Sequence, residues 1–205
     1  MASERMSDAG HSVVAIGDLL WDLLPSGRQL GGTSANFAYH AGQLGARAAL
    51  ASQVGADELG DEALAFLRER HVDVDNVLRD PEHPTSTVSI ELEDGGVPIF
   101  TVHENVAWDF LGCPTASMEL AATADAVFFG TLAQRSEVSR RTIRRLLDAT
   151  TASCLRLFDV NLRQRYYDAD LIAEALTSAT VLKASEEELC TIGRLMELLG
   201  VNLDD

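Results

Sequence analysis

The chain has 205 residues, 46% of them hydrophobic, enough for one substantial core and a single domain with at most a small appendage. Its 32 acidic against 16 basic residues give a formal charge of −16, a balance that repels phosphate backbones and excludes a nucleic-acid partner. No apolar run approaches the roughly 18 residues of a membrane span and no signal-peptide core is present, so the reading is a cytoplasmic chain with no membrane partner and a disordered N-terminus over 1–11.

Ser12 to Ile16 is a short apolar run closed by Gly17 and Asp18, which suits a buried strand that ends in a loop. After the loop, Thr33 or Ser34 caps a helix whose face includes Phe37, Ala38, Ala41 and Leu44, with Gly45 at its end. Ala48 to Val54 predicts a second strand. A helix from about Asp57 carries Leu59, Ala63, Phe66 and Leu67 at helical spacing, and Val72 to Val77 predicts a third strand. Such alternation favours a parallel sheet with helices on its faces.

From Thr85 to His103 the period changes to two, with Val88, Ile90 and Leu92 alternating with polar residues. Asp94-Gly95-Gly96 supplies a turn, and the segment predicts a β-hairpin inserted between α/β units. The rhythm then resumes with a strand at Ala126 to Phe129, a helix over Ser136 to Ala149 and a strand at Leu155 to Val160. A helix over Leu171 to Ala179, a strand Val181 to Lys183 and a helix from Ser185 toward Leu199 complete the pattern. Gly200-Val201-Asn202 resembles a helix exit leading to another strand. Cys113, Cys154 and Cys190 are widely spaced, with no C-x-x-C pair and no zinc-like cluster, and are read as reduced thiols.

In open α/β sheets ligands collect beyond the carboxyl ends of the strands, so the polar residues there are the candidates for chemistry. In Gly17-Asp18-Leu19-Leu20-Trp21-Asp22 a carboxylate accepts hydrogen bonds from sugar hydroxyls or serves a turn. Gly31-Gly32-Thr33-Ser34-Ala35-Asn36 opens a helix, either as a turn and cap or as a close backbone approach to a polar ligand. No Gly-Lys-Ser/Thr exists in the chain, which removes a P-loop. In Asp159-Val160-Asn161-Leu162-Arg163 three polar residues alternate toward one side, where Arg163 holds an anion or pairs with Asp159. In Lys183-Ala184-Ser185-Glu186-Glu187-Glu188 the acidic run suits a helix N-terminus, and Ser185 with Glu188 has capping-box spacing.

Taken in order, these segments resemble the ribokinase/PfkB family of carbohydrate kinases, and its fructokinases in particular. Val54-Gly55-Ala56-Asp57-Glu58-Leu59-Gly60, Ala107-Trp108-Asp109 and Phe129-Gly130-Thr131-Leu132 add to the resemblance, which runs from about Val13 to about Leu199. It implies a Rossmann-like (ribokinase-like) α/β three-layer sandwich over 12–205, with a mostly parallel sheet and a small β-hairpin lid at about 85–104. It also implies an ATP-dependent sugar kinase. Asp22, Gly31, Gly32 and Asn36 match sugar-binding positions, and Arg163 matches an arginine that places substrate or phosphate. Asn161, Ser185 and Glu188 match the phosphate side, with Glu188 near Mg2+ through water, although Ser185 stands where the family has Asn. No Gly-Ala-Gly-Asp segment occurs here. The family's catalytic base and most of its ATP site are therefore not assignable, and the C-terminal part of the fold is read as missing. The implied partners are a small sugar, a second copy through the lid and a complementing C-terminal fragment. The alternative is a catalytically inactive sugar-binding or dimerisation module.

Overall fold

A computed structural model describes residues 10–92 and 98–196 of the chain. The first half contains β1 (Ser12–Ile16), β2 (Leu20–Leu24), β3 (Gly27–Gly31), α1 (Thr33–Gln43), β4 (Arg47–Gly55), α2 (Glu58–Arg68) and β5 (Val77–Asp80). Then come β6 (Ser86–Leu92), β7 (Pro98–Val102), α3 (Thr115–Ala122), β8 (Ala126–Gly130) and α4 (Glu137–Ala149). The last described elements are β9 (Leu155–Asp159), α5 (Ala169–Ser178), β10 (Val181–Lys183) and α6 (Glu186–Leu195).

Six strands form a parallel sheet in the order β10-β9-β8-β1-β4-β5. Side chains alternate across a strand, so each strand feeds two cores. Val14, Ile16, Val127, Phe129 and Phe158 pack with Ile143, Leu146 and Ile172 on one face. Ala15, Leu50, Val54 and Phe128 pack with Ala35, Ala38, Leu64 and Leu67 on the other. The α/β sandwich is thus three layers deep, with Phe37 stacked on Phe128 at 4.3 Å to seat α1.

A second, four-stranded sheet in the order β3-β2-β6-β7 stands over the carboxyl ends of the first. The lid is therefore larger than the hairpin expected at 85–103. Residues 20–31, read from sequence as loop, supply two of its strands, and β2 pairs in parallel with β6 from Leu20↔Ser86 to Leu23↔Ser89. β2 also pairs antiparallel with β3, from Leu20↔Gly31 to Leu24↔Gly27 across Pro25-Ser26, a local hairpin turn that the sequence reading passed over. Asp94 to Gly96, the expected turn, and the helix continuation toward Leu199 lie outside the described residues.

Three further expectations are corrected. Residues 72–76 form a turn with one bridge, Ala49↔Asp73, and the strand begins at Val77. The Asp73 side chain accepts the Asp75 N–H at 2.9 Å, a local bond that competes with a ladder. The segment 107–122, given no element from sequence, holds a short 3₁₀ turn at Ala107–Phe110 and then α3, entered through Pro114. Thr33 and Ser34 lie inside α1 and do not cap it, because the N-cap position is Gly32, which has no side chain to offer. Elsewhere local chemistry and fold agree: Asp57 caps α2, Ser136 caps α4, and Ser185 with Glu188 forms a reciprocal capping box on α6.

Candidate functional site

From β1 the chain builds outward to β4 and β5, then returns to β8 and grows in the opposite direction. Ligands of open α/β sheets collect at such a switch point. A cleft of about 420 Å³ opens there. Its floor is Asp18, Gly32, Thr33, Asn36, Leu132, Asn161 and Arg163, and its roof is Leu20, Asp22, Val88 and Val102. The roof follows from register: Asp22 sits opposite Val88, and Val88 opposite Val102, so the three form one row on one face, with Leu20 two residues along. Trp21 points to the other face, is buried, and donates to the Leu59 carbonyl at 3.0 Å.

Asp18 supplies the cap that α1 lacks. Its Oδ2 accepts the Thr33 N–H at 2.6 Å, and its Oδ1 accepts the Ser34 N–H at 3.3 Å and the Ser34 hydroxyl at 3.0 Å. Gly32, at φ 101, makes this approach possible, since a β-carbon there would stand 2.5 Å from the Asp18 carbonyl oxygen. Sequence reasoning passed over Asp18. The available signal was a carboxylate just past a strand, followed by a helix with only glycine at its cap.

With Asp18 committed, Asp22 is the free carboxylate of the cleft, with no hydrogen-bond partner for its side chain among the described residues. Burial pushes its pKa above the ordinary carboxylate value. The Asn36 amide, on the first turn of α1, faces the same space and is exposed. Two acceptor oxygens and an amide on opposite walls, with Leu20, Val88, Val102 and Leu132 between them, suit a small polyhydroxylated ligand with apolar C–H faces.

The segment after β9 divides differently from the alternation read in sequence. Asp159 is buried and pairs with Lys183, the single lysine of the chain, at 2.9 Å, rather than with Arg163. Burial nevertheless holds its pKa above normal, outweighing the Lys183 charge. Asn161, at φ 33, breaks the extended geometry and sends its amide to the Thr33 hydroxyl at 2.8 Å. Arg163 is exposed on the rim, where its guanidinium donates to the Leu162 carbonyl at 3.2 Å, and is the one cation in the cleft lining among the described residues.

Ser185 and Glu188 do not line the cleft. Glu188 Oε1 accepts the Leu162 N–H at 2.9 Å and Oε2 the Ser185 N–H at 2.7 Å, so its carboxylate ties the start of α6 to the Asn161–Arg163 turn. The described residues gather no group of three or more His, Cys, Asp or Glu suited to a metal ion. A larger depression of about 530 Å³ lies outside the lid exit, beside Glu104, Arg135, Arg140 and Arg165. Its cations are already paired, Arg135 with Asp109, Arg140 with Glu174 and Arg165 with Glu104, so the cleft at the switch point is the better ligand site.

The model for pfkB family carbohydrate kinases matches residues 27–194. The fructokinase of Salmonella typhimurium is 32% identical over 91% of this chain and 64% of its own length. Among solved structures, an uncharacterized sugar kinase from Pyrococcus horikoshii superposes with a TM-score of 0.81 at 27% identity, covering 89% of this chain and 65% of that one. The fructokinase of Vibrio cholerae O395 in its fructose, ADP and calcium ion bound form gives 0.73 at 25% identity, covering 91% and 65%. The chain spans less than two thirds of the length of these relatives.

Proposed function

Because the chain belongs to the pfkB family of carbohydrate kinases, we propose that it provides the sugar-binding cleft of an ATP-dependent sugar kinase, with fructose as the leading substrate. The observation that carries this reading is the unpartnered Asp22 carboxylate, held in a half-buried cleft opposite the Asn36 amide. An ionised carboxylate accepts two or more hydroxyl hydrogen bonds, and bonds to a charged acceptor contribute roughly 1.5–3 kcal/mol. Fructose is favoured over other sugars by the fructokinases among the relatives.

In this reading Asp22 and Asn36 hold the sugar hydroxyls, Gly31 and Gly32 let the backbone and carboxylate approach, and the lid row of Val88 and Val102 keeps water from the cleft. Arg163, the rim cation, orients an anionic group, and Asn161 braces the floor through Thr33. ATP is the proposed phosphoryl donor. Magnesium is its proposed counter-ion, with Glu188 reaching it through water if the loop bonds are kept. No residue of the 205 is assigned as the base that removes the hydroxyl proton, since no Gly-Ala-Gly-Asp segment is among them. A second reading is sugar binding without phosphoryl transfer.

The test is titration calorimetry of the chain with fructose and a panel of neutral and acidic sugars, beside a coupled ADP-release assay with Mg·ATP, using Asp22→Asn as control. Sugar-dependent turnover abolished in the variant supports the kinase. Binding without turnover supports the second reading, and no binding by any sugar overturns both.

A further inference from the structure

We propose that Tyr166 is a positioning residue that couples the lid to the substrate-facing turn after β9. The lid strands β6 and β7 enter and leave the sandwich at two anchored points. At the entry, Asp57 accepts the Thr85 N–H at 2.8 Å and the Thr85 hydroxyl at 2.6 Å while capping α2 through the Gly60 N–H. At the exit, Arg135 donates to the His103 carbonyl at 2.6 Å and grips Asp109 with two nitrogens at 2.7 and 2.8 Å. Arg135 is buried, its side chain 5% exposed, which makes the exit a fixed post.

Tyr166 reaches from that post to the turn carrying Asn161 and Arg163. Its hydroxyl hydrogen bonds the Glu104 carboxylate at 2.9 Å and lies 3.4 Å from the Val102 carbonyl, while its own N–H donates to the Arg163 carbonyl at 3.1 Å. Its ring lies 4.8 Å from the Arg135 guanidinium carbon. One residue thus joins Val102, which roofs the cleft, through its side chain, to Arg163, which rims it, through its backbone N–H. Arg165 also meets Glu104, at 3.0 Å, but with 82% of its side chain exposed it is worth little. Next to each partner stands a left-handed residue, Asn105 at φ 57 beside Glu104 and Gln164 at φ 46 beside Arg165. Asn adopts that conformation readily, but for a glutamine it is uncommon, which marks the Gln164 side of the latch as conformationally constrained.

The consequence for sugar rests on the function proposed above, whereas the coupling of lid and turn does not. The test is amide hydrogen exchange on the 205-residue chain and its Tyr166→Phe variant, which loses the hydroxyl but keeps the ring over Arg135. Loss of one hydrogen bond is expected to speed exchange about 3- to 10-fold, both at the Val88 and Val102 strands and at residues 161–165. Global melting should stay nearly unchanged, and Glu104→Gln added to Tyr166→Phe should produce no comparable further change. Fructose affinity should fall by a similar factor. Exchange unchanged in either segment, or a full extra effect of Glu104→Gln, overturns the proposal. Faster exchange in both segments with no fructose binding by either protein upholds the latch and removes the sugar reading alone.

Discussion

A β-carbon at Gly31 would stand 2.5 Å from Oδ2 of Asp22. The one unpartnered carboxylate of the cleft therefore owes its position to a missing methyl group on the neighbouring strand. Gly31→Ala should swing the carboxylate aside at little cost to the fold, within about 1 kcal/mol. Calorimetric affinity for the sugar should fall about 10-fold or more, the scale of a lost charge-assisted bond. Unchanged affinity would show that Asp22 does not hold the ligand.

Asp22→Asn separates binding from stability. Burial raises the folded-state pKa of Asp22, so the native state takes up this proton more readily than the unfolded chain. The stability linked to that proton is present below the unfolded pKa and is lost as pH rises through the folded one. At neutral pH the variant should melt higher than the parent, and the difference should close on acidification into the carboxylate range. Sugar affinity should be lost throughout. Melting curves at stepped pH check the sign, and a variant less stable at pH 7 would contradict the burial argument.

Asp18→Ala should do the reverse, damaging the fold first. It removes the side-chain cap that Asp18 gives α1 and orphans the Thr33 and Ser34 backbone N–H groups, while the Ser34 hydroxyl keeps the Ile16 carbonyl as acceptor at 2.9 Å. A lost cap costs about 1 kcal/mol and a buried orphan about 1–3 more. Urea unfolding should show a total near 2–4 kcal/mol.

Glu188→Ala should release the Leu162 and Ser185 amides together. Loss of the capping box predicts about 1–2 kcal/mol of destabilisation, with faster exchange at Leu162. Glu188→Gln, which keeps an acceptor oxygen, should recover part of both. Normal exchange at Leu162 in Glu188→Ala would detach Glu188 from the turn.

Along β10, an edge of the parallel sheet among the described residues, Val181 and Leu182 are 38% and 42% exposed, and Leu155 on β9 is 55% exposed. An open edge beside apolar side chains is a template for association. The 205-residue polypeptide should show concentration-dependent self-association in sedimentation velocity, reduced by Leu182→Glu. A monomer at high concentration, already present in the parent, would refute this.

Much of the α/β frame was legible in the chain. Turn and cap residues such as Asp57, Ser136 and Ser185 act within three or four residues of themselves, and β10 has the same bounds in sequence and structure. The cleft was legible in part. Asp22, Gly32, Asn36, Asn161 and Arg163 do line it, Gly31 borders it, and Ser185 and Glu188 stand behind it. The β2–β3 hairpin closes on the local turn Pro25-Ser26, a signal the sequence reading passed over, whereas the pairing of β2 with β6 joins segments far apart along the chain.

Composition, period and short-range hydrogen bonding were sufficient for the α/β class of fold and the sign of the net charge, since each depends on neighbours along the chain, whereas the candidate sugar-site residues were named through the family resemblance. Which carboxylate is free and which is spent could be settled only in three dimensions. Asp18 is consumed by a helix 15 residues away, Asn161 is turned inward by a threonine 128 residues away, and Asp159 is claimed by Lys183 across the sheet. A polar side chain acts on a ligand only with the hydrogen-bonding capacity its own fold leaves unused, and that remainder is a property of packing.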